Sequence, residues 1–400
     1  MDRGEGFSLI EVTVALALTL VVSAGVFALL NPAESAFLAG PEIADMQQRL
    51  RVATDTLYAN LLMAGAGAYA GTQTGALHRF FAPVLPFRRG AVRNAAAGSF
   101  TTDTITLLSV PPTAAQTTTS VPLSAASAAL RVNADSGCPR NLDGTPKPLC
   151  GFEPGMTALI FDDVGRYDVF TVVAADGDIA QLAVNKPAAA ATMMYPAGSK
   201  VVEVVERTYA LHVDVAHRVY QLVSYDGSDH VDVPVVDNVV KLGFEYFGQV
   251  QPPALLRPVE DPIGPWTSYG PKPPRAGLKS TTYPDGENCT FTRDAQGHLA
   301  PRLATLGDSS DPQALVKLTA AQLVDGPWCP DADSPDRFDA DLLRIRAIAV
   351  TLRVQAEHER LRGPAGPLFF NAGTARDGQR WVPDQEVRFM VAPRNLNMGG

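Results

Sequence analysis

Residues 7–30 read FSLIEVTVALALTLVVSAGVFALL and form a long apolar stretch close to the N-terminus. No residue from Val12 to Leu30 is charged, and at about 1.5 Å per residue this run spans roughly 28 Å as a helix, about one bilayer core. A secretory signal peptide carries a basic leader and a small-residue cleavage site after its apolar run. Here the leader MDRGEG (residues 1–6) is short, and Gly6 precedes the run. The stretch therefore predicts a membrane-spanning helix.

One acidic residue, Glu11, lies near the start of the apolar stretch. A carboxylate within lipid is costly and usually marks a function or a partner. Alternatively, Glu11 sits at the level of the lipid headgroups and has no such role. The residues alone leave both interpretations open.

The run Gly6-Phe7-Ser8-Leu9-Ile10-Glu11-Val12 resembles the class III signal of type IV prepilins and pseudopilins. The resemblance implies that a prepilin peptidase cleaves between Gly6 and Phe7 and methylates the new amino group of Phe7. It also implies that the Glu11 carboxylate pairs with the N-terminal amine of a neighbouring subunit during assembly. Such a pair is physically reasonable, because the opposite charge relieves the cost of a charge in an apolar helix bundle.

A second helical segment follows the apolar stretch. Asn31-Pro32 predicts a kink or a melted turn, and Gly40-Pro41-Glu42 predicts a restart of the helix. Apolar residues then recur at three- and four-residue spacing, which indicates an amphipathic helix that packs on a sheet; a parallel coiled coil is the alternative. The residues of this stripe are Ile43, Met46, Leu50, Ala53, Leu57, Leu61 and Ala64.

The helix is expected to end in the small-residue segment 63–71, MAGAGAYAG. Its glycines superficially resemble a dinucleotide-binding loop, but they follow a helix instead of a strand and have the spacing GxGxxxG. A helix C-cap followed by a turn is the simpler interpretation.

Beyond residue 100 the apolar period changes to two, which predicts strands. Asp176-Gly177 and Asp226-Gly227 are turn signals between strands. One long helix followed by many turn-linked strands predicts an α+β fold: a long N-terminal helix, transmembrane and then amphipathic, packed on a mostly antiparallel, pilin-like β-sheet head. The predicted strands cover residues 105–108, 157–161, 167–174, 179–184, 200–205, 209–215, 219–225, 239–247, 342–354 and 386–391.

The order of these segments also resembles large minor pilins of the PilW type and minor pseudopilins of the GspJ type. The resemblance rests on apolar patterns in residues 201–220, 234–246, 344–354 and 387–391 with 394–396. The resulting division of the chain is a leader peptide (1–6), a transmembrane or filament-core helix (7–30), a kink and amphipathic stalk helix (31–65), a β-rich head (66–247), a Pro/Gly-rich, loop-rich insertion (248–340) and C-terminal strands of the head (341–400).

The chain contains four cysteines, Cys138, Cys150, Cys289 and Cys329. They form no CxxC pair, and an even number in an exported chain indicates disulfides, whereas a reducing compartment would leave four free thiols. Pairing of sequence neighbours gives Cys138–Cys150 and Cys289–Cys329, one of three possible connectivities. The second bridge would constrain the insertion, which is the best candidate surface for a partner.

Few residues of the chain point to catalysis or to ligand binding. The six histidines show no HExxH spacing, and neither a GxSxG elbow nor a P-loop occurs, so no enzyme activity and no cofactor are expected. Asp331, Asp333 and Asp336 belong to an acidic cluster that is a weak candidate for calcium, although a solvated loop is the simpler interpretation. The net charge of −9 disfavours binding to nucleic acid.

Together these features predict a minor pilin that initiates or caps a type IV pilus. The alternatives are a minor pseudopilin of a type II secretion system, or a tip adhesin or DNA-uptake module on a pilin stalk. The expected partners are prepilin peptidase, other major and minor pilins, the inner-membrane assembly platform and membrane lipid. The expected location is a single-pass inner-membrane protein with a periplasmic head, extracellular once it is assembled.

Overall fold

The computed structural model describes residues 8–68, 75–91, 101–112, 114–124, 127–134, 138, 140–162, 167–185, 194–214, 216, 217, 219–227, 232–251, 284, 287, 291–301, 306, 311, 314–325, 329–331, 334–338, 340–362 and 382–397. Within this part of the chain an N-terminal apolar helix is followed by antiparallel sheets. The predicted α+β class is confirmed.

Three α-helices lie in the described residues: α1 (Leu9–Met63), α2 (Ala320–Asp325) and α3 (Arg394–Asn397). The long helix α1 runs without interruption through both Asn31-Pro32 and Gly40-Pro41, so the predicted melted turn and restart of the helix are wrong. Each proline removes a single i to i−4 hydrogen bond, and the backbone on either side remains helical. A bend at Pro32 stays a prediction.

Nineteen strands lie in the described residues, from three to eleven residues long. In chain order they are β1 (Val84–Pro86), β2 (Ile105–Ser109), β3 (Gln116–Thr118), β4 (Ala129–Arg131), β5 (Thr157–Phe161), β6 (Tyr167–Asp176), β7 (Gln181–Asn185), β8 (Lys200–Glu203), β9 (Val205–Asp214), β10 (Val219–Tyr225), β11 (Val233–Asp237), β12 (Val239–Gln249), β13 (Phe291–Arg293), β14 (Leu299–Pro301), β15 (Leu315–Leu318), β16 (Cys329–Asp331), β17 (Ser334–Phe338), β18 (Ile345–Val354) and β19 (Gln385–Val391).

Two sheets form the base on which the helix packs. The first has the order β1-β2-β9-β10-β11 and the second the order β15-β12-β18-β19, with all neighbours antiparallel. The chain passes from the first sheet to the second through one residue, Asn238, between β11 and β12. The main core lies between these sheets and α1; its members include Met46, Ala53, Leu57, Leu61, Phe81, Ile105, Leu107, Tyr209, Leu222, Val236, Leu242, Phe244, Tyr246, Ile348, Val350, Leu352 and Leu396.

The apolar stripe of α1 faces this core as the spacing predicts. Met46, Ala53, Leu57 and Leu61 are fully buried, and α1 contacts β11, β18 and β19. The helix ends at Met63, beside a small-residue turn. The stripe is therefore covered by the protein's own sheets, which confirms the predicted packing of the stalk on the head.

The third sheet closes on itself. Its order is β3-β8-β5-β6-β7-β4, and its two edge strands meet where Thr119 forms an antiparallel bridge with Val132. Backbone bonds on both sides support this closure, from Ser120 N to Arg131 O (3.0 Å) and from Asn133 N to Thr118 O (2.9 Å). The described residues between positions 110 and 204 thus form a small closed barrel, and closure removes the exposed sheet edges that promote aggregation.

The barrel has a separate core. Its buried members are Ala115, Leu123, Leu130, Val132, Leu149, Phe152, Ala158, Ile160, Phe170, Val172, Leu182, Val184, Tyr195 and Val201. Strand β5 is buried on both faces, because Ala158 and Ile160 point into the barrel while Leu159 and Phe161 join the main core. This explains its continuous apolar sequence, which is typical of a strand covered on both sides.

The barrel is inserted between two paired strands. Strands β2 and β9 pair directly, from Ile105 with Tyr209 to Ser109 with Val205, although the whole barrel lies between them in sequence. The barrel begins beside the C-terminal end of α1, where Val110 N donates to Ala66 O (2.8 Å). The region 66–247, predicted as one β-rich head, therefore contains two separate hydrophobic cores.

The interval 248–340 contributes partly to the main core. Strand β15 pairs with β12, and Leu318 and Leu323 are buried. The ribbons β13–β14 and β16–β17 are each two-stranded. Most of the remaining interval lies outside the described residues, so its loop-rich character stays a prediction.

Candidate membrane-anchoring and assembly site

The first part of α1 is apolar and uncovered. Residues Leu9–Phe27 form a helical segment long and apolar enough to cross a membrane, and none of it is buried by the rest of the chain. Large side chains such as Leu9 and Phe27 are mostly exposed. Exposure of so much apolar surface is unfavourable in water, so this segment requires lipid or other apolar helices around it.

Glu11 is held at the N-terminus of this helix by Ser8. The Ser8 hydroxyl accepts a hydrogen bond from Glu11 N (3.2 Å), and the Glu11 Oε2 atom accepts bonds from Ser8 N (2.9 Å) and Ser8 Oγ (3.0 Å). This reciprocal arrangement is a capping box, which satisfies amide groups that the first helical turn cannot bond internally. The carboxylate of Glu11 is thus turned back towards Ser8, the residue that precedes the helix.

The role of Ser8 was missed at the sequence level. Its signal is the spacing Ser-x-x-Glu directly before an apolar helix, which is the known pattern of a capping box. Gly6 and Phe7 lie outside the described residues, so the cleavage and methylation sites stay predictions.

Hydrogen-bonded and ion-paired contacts of Glu42, Arg49 and Glu357, here called the polar lock, join the stalk part of α1 to the loop after β18. Buried Glu42 accepts a bond from Glu357 N through Oε1 (2.5 Å), and the Arg49 guanidinium lies 2.5 Å from the Glu357 carboxylate. Arg49 also pairs with Asp45 on its own helix. These contacts fix the helix against the head close to where the apolar stripe begins, and the sequence pattern did not predict them.

Cys138 and Cys150 lie together at one end of the barrel. Their Sγ atoms are bonded and their Cα atoms are 4.4 Å apart, and the segment between them leads from β4 towards β5. Cys289 lies outside the described residues, and only the backbone of Cys329 is described, in β16. The bridge Cys289–Cys329 therefore stays a prediction.

The calcium candidates are not assembled into a described site. Asp331 and Asp336 lie on the β16–β17 ribbon with only their backbones described, and Asp333 lies outside the described residues. Among the residues that are described, no group of three or more potential metal ligands occurs. Calcium binding stays a weak prediction.

Burial shifts the pKa of two ionisable side chains of the head, His78 and Glu206, in opposite directions. Burial, and then the charges of Arg346 and Arg79, lower the pKa of His78 to about 4. Burial raises the pKa of Glu206, although its Oε1 atom accepts a bond from Ala91 N (2.9 Å). Both groups lie within the folded head and are not part of the N-terminal site.

Comparison with known protein families finds one matching segment, at the N-terminus. Residues 1–27 match the family model of the prokaryotic N-terminal methylation motif. No curated protein and no solved structure matches the chain significantly. The matched residues coincide with the capping box and the exposed apolar segment of α1.

Proposed function

On the premise that the methylation motif and the apolar N-terminal helix fit a type IV prepilin-like protein, we propose that the chain is a minor pilin of a type IV pilus. Its role is structural, at the initiation or the tip of the filament, and requires no cofactor. The observation that carries the proposal is the uncovered apolar segment Leu9–Phe27 with a single carboxylate at its start. Lipid covers this segment in the inner membrane, and the helices of other subunits cover it in the filament.

Processing is the first step of the proposed function. Prepilin peptidase removes residues 1–6 and methylates the amino group of Phe7, so that the mature chain begins one residue before the helix cap. Replacing Gly6→Val should block cleavage, because a branched side chain then precedes the scissile bond. The matched control is Gly4→Val, which changes the same residue type within the leader but away from that bond.

Intact-mass measurement of the membrane-extracted protein reads out both variants. The wild type and the Gly4→Val variant should lack the leader hexapeptide and carry one methyl group, whereas the Gly6→Val variant should retain the leader. A Gly6→Val protein of mature mass would show that the cleavage site is assigned wrongly.

Assembly depends in this proposal on Glu11. The carboxylate is satisfied by Ser8 in the single chain, and in a bundle of apolar helices the positive amine of a neighbouring subunit offsets the cost of its charge. The Glu11→Val variant should remain in the membrane and be processed, but should be depleted from sheared filaments. Glu5→Val is the matched control, because that carboxylate is lost with the leader.

The assignment to a minor subunit is supported by the size of the head. The two-sheet base carries an additional barrel, and such a head would crowd a lattice in which every subunit repeats at close spacing. The proposed partners are major and minor pilins and the inner-membrane assembly platform. Quantitative mass spectrometry of sheared filaments should find the chain far below the amount of the main subunit; equal amounts would contradict the minor role.

A further inference from the structure

Residues 87–91, here called the strap, follow β1 and cross one face of the first sheet. Gly90 N donates to the hydroxyl oxygens of Thr106 on β2 and Thr208 on β9, at 3.0 Å each. The Thr106 hydroxyl donates to Arg88 O (2.8 Å). Because a hydroxyl carries a single proton, the contact of 2.6 Å between the two threonine oxygens is donated by Thr208. Side chains of two paired strands therefore hold the middle of the strap.

A buried carboxyl group holds the end of the strap. Ala91 N donates to Oε1 of Glu206 on β9 (2.9 Å), and Glu206 is 3% exposed. The backbone approaches this group so closely that a Cβ atom added at Gly90 would lie 3.3 Å from Oε1, and one added at Gly227 would lie 3.1 Å from Oε2. The strap therefore forms part of the cover that separates the carboxyl group from water.

The closed strap contains a strained residue. Phe87 has a φ of +63°, a left-handed conformation that is unfavourable for a bulky side chain. Its ring is buried and packs edge-on against Tyr246, with 5.5 Å between the ring centroids. The Tyr246 hydroxyl is also buried and has no hydrogen-bond partner among the described residues, which costs further free energy. Such an arrangement persists only because the surrounding contacts hold it.

We propose that the strap is a pH-sensitive latch, which closes over Glu206 while this carboxyl group holds a proton and releases when the group ionises. A protonated carboxyl group accepts the bond from Ala91 N without burying a charge, whereas an ionised group keeps its charge away from water at a high cost. Release exposes the carboxylate, relieves the left-handed conformation of Phe87 and removes cover from Tyr246. The latch is a property of the single folded chain and does not depend on the minor-pilin assignment.

The charges around Glu206 add to the cost of its ionisation. Among the described residues, the charged or titratable groups of the strap, of β9 beside Glu206 and of the loop from β10 to β11 are Arg88, Arg89, Arg207, Tyr225, Asp226 and Asp232. Arg89 pairs with Asp232 (2.7 Å) and Arg207 with Asp226 (3.8 Å). Burial raises the pKa of Glu206, the bond from Ala91 N lowers it, and the charge of Asp226 raises it.

The direction of the pH dependence follows from this shift. In the closed state the pKa of Glu206 lies above its ordinary value of 4.5, and in the released state the group is in water and has the ordinary value. The closed strap is therefore fully favoured below pH 4.5, and its advantage is lost as the pH rises through the raised pKa. Between these two values the ratio of released to closed chains rises about tenfold for each pH unit.

Fluorine NMR of the full-length chain in mild detergent tests the latch. 4-Fluorophenylalanine is placed at Phe87 in the strap and, in a second sample, at Phe244 in the main core, where it reports unfolding of the whole head. Spectra in light and heavy water, recorded from about pH 4 to about pH 8, distinguish a buried ring from an exposed one. We expect the exposed signal at position 87 to grow with rising pH, by about tenfold per unit relative to the buried signal, while position 244 stays buried.

Two substitutions connect the release to the carboxyl group. Glu206→Gln keeps an acceptor for Ala91 N but does not ionise, so its ratio of released to closed chains should be independent of pH. Glu203→Gln is the matched control and should keep the pH dependence of the wild type. The Glu203 carboxylate also accepts a backbone bond, but from Ala115 N in the barrel (3.1 Å).

A third substitution tests the charge beside the carboxyl group and serves if Glu206→Gln does not fold. Asp226→Asn removes a charge that raises the pKa of Glu206, so release should begin at lower pH. A ring at position 87 that stays buried at every pH, a release that Glu206→Gln or Asp226→Asn leaves unchanged, or exposure of position 244 together with position 87 would overturn the latch. All of these results leave the minor-pilin proposal standing, because they are obtained without filaments.

Discussion

Acidification should destabilise the head through His78. This residue lies on the turn Leu77–Arg79, where burial and the cations Arg346 and Arg79 lower its pKa from 6.5 to about 4. Between these two pH values the unfolded chain binds a proton that the folded head excludes, so the stabilising contribution is fully present above pH 6.5 and is lost as the pH falls to 4. With 1.36 kcal/mol for each pH unit, the loss amounts to about 3 kcal/mol.

The variant His78→Gln isolates this contribution, because every other titrating group is unchanged. The free energy of unfolding is measured by urea titration of the full chain in mild detergent, followed by circular dichroism at pH values from 7 to 4. The wild type should lose about 3 kcal/mol more than the His78→Gln variant over this range. Parallel pH profiles for the wild type and the His78→Gln variant would refute the reasoning.

Two further predictions concern the packing of the stalk and the insertion of the barrel. Leu57→Ala should destabilise the head by about 2–5 kcal/mol because this side chain is fully buried on α1, whereas Leu62→Ala, 38% exposed on the same helix, should cost far less; equal losses in urea titration would show that the stripe does not carry the packing. Replacing residues 110–204 by a two-residue turn should weaken the main core, because Leu159 and Phe161 belong to it, although Ser109 and Val205 are already paired. Hydrogen exchange of β12 and β18 reads this out, and unchanged protection of these strands would mean that the main core does not depend on the barrel.

Local patterns in the sequence predicted the elements that carry their own apolar period. The stripe of α1 and the long strand β12 repeat apolar residues over several turns or alternations, so their burial follows from spacing. Strands such as β3, with the sequence Gln116-Thr117-Thr118, are too short and polar to be predicted in this way. They are strands because neighbours complete their backbone hydrogen bonds.

The N-terminal site was predictable to a similar degree. The apolar segment and Glu11 are visible in composition and charge, and Ser8 is visible through its spacing from Glu11. The lock formed by Glu42, Arg49 and Glu357 was not predictable, because it joins α1 to a loop some 300 positions away in sequence. A local pattern contains no information about such a partner.

Local patterns also do not show which distant strands pair. For this reason the sequence predicted one head over residues 66–247, whereas the structure has two hydrophobic cores there. A strand pattern defines which face is buried, but it does not define which strand lies beside it. The pairing of Ile105 with Tyr209 spans the whole barrel, so neither β2 nor β9 indicates that its neighbour is distant. The continuous apolar run of β5 is a local sign of burial on both faces, and it becomes interpretable only once Ala158 and Leu159 are assigned to different cores. The core that buries the stripe of α1 is therefore distinct from the core inside the barrel, and β5 contributes to both.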